Sequence, residues 1–94
     1  MVQKRTINKI LEKILSGKTA KTRMRGYWYN IYYDKDYDHI VAEPIGAGDI
    51  LVSSMEADDY RYTHAGEIAR EVQQLIWEVD ELMRAKTLAD EVVE

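Results

Sequence analysis

The 94-residue chain contains no cysteine. No disulfide can staple the fold, and a zinc site built on thiolates is excluded. That absence suits a reducing cytoplasm, the expected compartment. Long apolar runs are missing too. The longest aliphatic stretch is Ile50-Leu51-Val52, against roughly 18 residues for a membrane helix. The first residues show no apolar core of the signal-peptide kind. No internal repeat, low-complexity segment or linker divides the chain, so residues 1–94 are expected to form a single domain.

What is present describes an ordinary globular protein. The hydrophobic fraction is 46% and the charged fraction 32%, which is not the profile of a disordered chain. A domain this short buries only a little over ~60% of its unfolded surface, and a homodimer would be a natural supplement.

The net charge of −4 is unevenly placed. Residues 1–25 carry eight bases against the single acid Glu12, a net +7. The rest of the chain carries five bases against sixteen acids, a net −11. A chain so divided is expected to meet charged partners or copies of itself.

Periodicity supplies the elements. Ile7, Ile10, Leu11, Ile14 and Leu15 follow the spacing of one helical face. Gly17 stands where a left-handed C-terminal cap is wanted. Lys4, Arg5, Lys9 and Lys13 fall largely off the apolar stripe, which makes this a basic amphipathic helix.

From Thr19 to Tyr33 the period becomes two, and the density of Tyr and Trp favours a strand. Ala20, Met24, Trp28 and Tyr32 share one side, while Lys21, Arg23, Arg25, Tyr27, Tyr29, Ile31 and Tyr33 share the other. A bulge at Gly26 would reverse the faces beyond it. Asp34 to Asp38 reads as a hairpin loop and His39 to Glu43 as the returning strand. The only proline, Pro44, ends that strand or sets it at an edge. Gly46 to Asp49 is a second turn and Ile50 to Ser54 a short third strand.

Asp58 or Thr63 could cap the last helix. Its apolar stripe, Ile68, Val72, Leu75, Ile76, Val79, Leu82 and Met83, continues to about Lys86. A helix of roughly 23 residues is ~34 Å long, enough to span a domain whose radius of gyration is about 12 Å. The predicted class is α+β: an N-terminal helix, a small three-stranded antiparallel sheet and a long C-terminal helix.

Catalytic and metal constellations fail one by one. Asp34, Asp36 and Asp38 match the first ligand positions of an EF-hand loop, but the glycine required at the sixth position is His39 and the glutamate at the twelfth is Ile45. Gly46-Ala47-Gly48 leads into a strand-like segment, whereas a phosphate-cradling turn leads into a helix. Ser53 and Ser54, with His39 and His64 as possible bases, lack a nucleophile elbow. Glu67 and Glu71 lie on a polar helical face, where nothing suggests the burial that would shift a pKa. The expectation is a non-enzymatic protein without metal or cofactor.

Three binding features remain. The strand series Lys21, Arg23, Arg25, Tyr27 and Tyr29 interleaves bases with aromatics, as nucleic-acid-binding sheets do. Acids run through Asp34, Asp36, Asp38, Asp58 and Asp59 and on along the last helix. Acids two apart on an extended chain are ~6.7 Å apart, close to the spacing of successive phosphates. Such a surface suits the basic nucleic-acid channel of a partner protein, although solubilising charge is the commoner meaning. Finally, Trp77 lies about 160° from the centre of its helix's apolar stripe at 100° per residue. A ring there either packs under another element or anchors a partner.

In size, acidity and α+β build the chain resembles small phage proteins that disable host nucleic-acid enzymes, some anti-CRISPR proteins among them. The likeness is one of architecture, with no shared motif. That likeness implies a viral inhibitor. The acidic pattern itself points to a non-enzymatic protein-binding module presenting Asp34, Asp36, Asp38, Asp58 and Asp59 to a basic partner, with Trp77 as a candidate anchor. The alternatives are a nucleic-acid binder using Lys21, Arg23, Arg25, Tyr27 and Tyr29, and a structural homo-oligomer.

Overall fold

The computed structural model of the protein describes residues 4–46, 51–54 and 66–92. Helix α1 spans Lys4–Leu15 and buries Ile7, Ile10 and Ile14, with Leu11 partly covered. Leu15, the last residue of the expected stripe, stays 41% exposed because the chain turns away there. The Lys18 N–H donates to the Lys13 carbonyl at 2.9 Å and the Gly17 N–H to that of Ile14 at 3.0 Å. Those two bonds are the Schellman pattern, and Gly17 takes it at φ 73°. Glycine reaches this left-handed backbone without a Cβ clash.

Four antiparallel strands follow in the order β1-β2-β3-β4: Ala20–Met24, Tyr27–Asp34, His39–Pro44 and Val52–Ser53. The stretch whose alternation reads as one strand is therefore two, folded on Arg25-Gly26. Both turn residues have positive φ, 49° and 84°, the type I′ geometry whose twist matches a tight hairpin. The sheet gains a strand over the three expected, while the α+β class and the flanking helices stand as read. Pro44 is the last residue of β3, where its missing N–H does least harm.

The added turn decides which side chains share a face. Ala20, Ile31, Ala42 and Val52 stand opposite one another across the strands and are all buried. Together with Thr22, Tyr29 and Ile40 they form the sheet's inner face. Residues opposite each other in a ladder share a face, so Lys21 with Asn30, and Arg23 with Trp28, lie on the outer one.

Helix α2, Gly66–Val92, lays Val72, Leu75, Ile76 and Val79 on the inner face, each at most 1% exposed. Full burial of such a side chain stabilises by about 1.5–3 kcal/mol. Both helices and the sheet share one core. Val72, Leu75 and Val79, three of the four heptad-spaced positions, are consumed in that core, and Leu82 at the stripe's margin is 42% exposed. At 27 residues α2 is ~40 Å long, and its described side chains from Arg84 to Thr87 are all exposed. The molecule measures 48 × 24 × 24 Å. No helix among the described residues is long and apolar enough to cross a membrane.

Candidate functional site

Three of the predicted acids gather at the β2–β3 connection, Asp34 as the last residue of β2 and Asp36 and Asp38 in the loop, and they have different duties. The Asp34 Oδ1 accepts the Asp36 N–H at 3.0 Å, an Asx turn that shapes the loop. Asp38 takes φ 53°, a left-handed backbone that aspartate tolerates better than most residues. Its carboxylate accepts the Tyr33 hydroxyl. Arg84 on α2 reaches the same residue, donating from Nη2 to the Asp38 carbonyl at 2.7 Å and from Nη1 to Oδ2 at 3.4 Å. Arg84 also donates from Nε to Asp80 Oδ2 at 3.0 Å.

This network moves protons unequally. The Tyr33 hydroxyl and then the Arg84 guanidinium hold the Asp38 carboxyl below the usual carboxylate range. Tyr33 is pushed up, chiefly because ionisation would forfeit its bond to Asp38. On the outer face Tyr32 is also raised, first by burial and then by the carboxylates of Glu43 and Asp34.

Trp77 is exposed, at 52%, so of its two readings the covered one does not hold. Arg84 follows seven residues later, so it lies only ~20° round the helix and ~10 Å along it from Trp77. Arg84 holds Asp38. The aromatic ring therefore shares a face of α2 with the arginine that holds the acidic loop, and exposed Glu81 lies one turn beyond it on that face. Asp34 is half-buried and Asp36 exposed on that loop. Asp58 and Asp59 lie outside the described residues.

The basic series does not assemble as predicted. Tyr29 is 3% exposed, in the core, because the turn at Arg25-Gly26 reverses the faces of β2 relative to β1. Tyr27 closes the hairpin opposite Met24 and is 45% exposed. Arg25 pairs with Glu71 on α2 at 2.6 Å. The ring that meets the cations is Trp28: Lys21 Nζ is 5.5 Å and Arg23 Cζ 5.8 Å from its centroid. At exposed sites each such contact is worth about 0.5–1 kcal/mol.

A groove of about 550 Å³ opens between α1 and β1, lined by Lys9, Lys13, Lys18, Lys21 and Arg23 against the one acid Glu12. Sequence reading placed these cations on separate elements. Only the packing of the helix beside an edge strand brings them together.

The remaining candidates have structural duties. The buried Ser54 hydroxyl accepts the Ile40 N–H at 3.0 Å, while the Ser54 N–H donates to the Ile40 carbonyl at 2.8 Å. The hydroxyl completes the end of a β ladder. His39 Nδ1 lies 3.2 Å from the Tyr37 carbonyl; His64, Thr63 and the Glu67 side chain lie outside the described residues. Among the described residues no group of three or more His, Asp or Glu is gathered as a metal site.

Comparison of the chain with protein families, with curated proteins and with solved structures finds no match.

Proposed function

We propose that the chain is a non-enzymatic protein-binding module, an inhibitor in the manner of small phage proteins, whose acidic surface docks onto a basic, nucleic-acid-handling partner. One observation carries the reading. Trp77 is half exposed on the α2 face that also carries Arg84, and Arg84 fixes the acidic loop through Asp38. An exposed tryptophan ringed by charge has the composition of an interface hot spot. The rim acids would steer a basic partner and set its orientation.

The nucleic-acid alternative receives less. Of its five residues Tyr29 is in the core and Arg25 is engaged with Glu71. Lys21 and Arg23 keep an exposed ring, Trp28.

The test is capture from nuclease-treated host lysate on immobilised protein, eluted by a salt gradient. Wild type is expected to retain a basic protein, with Trp77→Ala and the pair Asp34→Asn, Asp36→Asn each releasing it at lower salt. Losing a hot-spot tryptophan costs about 2 kcal/mol or more, roughly a thirtyfold weaker Kd. Equal retention by all three proteins would overturn the reading. A partner recovered only before nuclease treatment would do the same in favour of nucleic acid.

A further inference from the structure

The edge of β1 that faces away from β2 has a determined pattern of hydrogen-bonding groups. The hairpin closes with Met24 opposite Tyr27 over two turn residues. In such a hairpin the closing pair exchanges hydrogen bonds and the pairs then alternate. Met24, Thr22 and Ala20 thus bond to β2, while the N–H and C=O of Arg23 and Lys21 point outward. The far side of β2 agrees: Trp28, opposite Arg23, gives its carbonyl to the Ile45 N–H at 2.9 Å, on the β3 side. Among the described residues β1 is the terminal strand of the sheet.

That edge forms a wall of the α1/β1 groove, which Ala20, Lys21, Thr22 and Arg23 line consecutively. Lys9 and Lys13 of α1 and Lys18 of the connection face the same space, with Glu12 the single acid among the groove's lining residues. Lysine on an edge strand ordinarily guards against pairing between copies. Here it does so selectively. A second β1 edge would set like charges opposite one another, which destabilises a pair. An acidic strand meets no such penalty.

We propose that this groove takes an extended acidic segment of another polypeptide, added antiparallel to β1 as a fifth strand. Main-chain bonds to Lys21 and Arg23 hold it, and carboxylates on its outer face meet those two side chains. Alternate residues turn inward, beside Ala20, Thr22 and Ile10, where small apolar side chains fit. Strand addition of this kind draws affinity from the backbone and specificity from alternate side chains. The groove is separate from the Trp77 surface and its occupancy does not depend on the function proposed for that surface.

The probe is a labelled, capped hexapeptide of alternating Glu and Val, with binding followed by fluorescence anisotropy at low salt. In the antiparallel register the Glu amides face β1 and the Val amides face away. N-methylation of the Glu amides is expected to weaken binding about tenfold or more, while N-methylation of the Val amides leaves it within about twofold. Lys21→Glu with Arg23→Glu should abolish binding in a protein whose far-UV circular dichroism is unchanged. The peptide series needs no protein variant, so misfolding cannot mask the answer. Equal binding by the two methylated peptides, or no binding by the parent peptide, overturns strand addition. So does displacement by an oligothymidylate of equal charge that binds more tightly than the peptide, since the groove would then be a seat for phosphates.

Discussion

The β1–β2 and β2–β3 turns of the sheet each reach α2, with opposite charge. The β1–β2 turn is two residues long, and its Arg25 pairs with Glu71 near the start of the helix. The β2–β3 loop is acidic, and its Asp38 pairs with Arg84 thirteen residues further on. That spacing is ~20 Å of helix, comparable with the ~26 Å length of the eight-residue strand β2 between the turns. The helix is thus fastened at both ends of one strand. Charges that look like bait for partners in the sequence are in part fasteners. Among the described residues, exposed Asp36, exposed Trp77 and the basic α1/β1 groove are not taken up in these two pairs.

The two fasteners should differ in strength. Arg25 and Glu71 side chains are 54% and 40% exposed, and exposed pairs contribute about 0.2–1 kcal/mol. Arg84 also serves Asp80, whose side chain is only 15% exposed and whose Oδ1 meets no donor among the described residues. Removing the guanidinium strands a carboxylate that is largely out of water. Arg84→Met is therefore expected to lower stability by about 1–3 kcal/mol, read as a fall in the urea midpoint. Glu71→Gln should cost no more than about 1 kcal/mol, and added salt should erase most of that. If the two variants prove equal, the asymmetry between the helix ends is wrong.

Between those magnitudes lies the turn itself. A Cβ at Gly26 would meet only the end of the Arg23 side chain, at 3.9 Å, so space is not the obstacle. The cost comes from φ 84°, and Gly26→Ala should destabilise by about 1–2 kcal/mol. At Gly17 nothing lies within 4 Å of the added carbon, and the same substitution should cost about the same. Matching urea midpoints for the two variants would show that backbone conformation alone sets the cost.

Most of the architecture was legible because it is local. The apolar stripes of both helices, the cap at Gly17 and the loop at Asp34–Asp38 are read from neighbours in sequence. The Arg25-Gly26 turn was not. Tyr and Trp favour strand on both sides of it, and arginine is unusual at a type I′ position where Asn or Asp is customary. Sequence offered Gly26 as a bulge that would reverse the faces, but not as a hairpin turn. The turn puts Trp28 in place of Tyr29 beside the cations and makes β1 an edge strand among the described residues. Trp77 was identified by its angle alone, but its exposure depends on what packs nearby. The Arg84–Asp38 contact spans 46 positions, and no periodicity reaches so far.

The smallest effect is the most diagnostic, because it depends on pH at both ends of the scale. Asp38 is depressed by Tyr33 and Arg84. Its contribution is complete above the ordinary carboxylate value of ~3.9 and fades as pH falls through its lowered one. Tyr33 is raised by the same bond. Its contribution is complete below the ordinary phenol value of ~10 and is lost as pH rises through the raised one. Asp38→Asn removes the charge from both. The difference in urea midpoint between wild type and this variant should be level from about pH 5 to about pH 9 and shrink beyond each limit. Tyr33→Phe should flatten the alkaline limb and shrink the acid one without abolishing it, because Arg84 still favours the ionised carboxylate. A difference as large near pH 2 as at neutrality would mean that Asp38 holds the loop through its backbone carbonyl bond to Arg84, with its charge irrelevant.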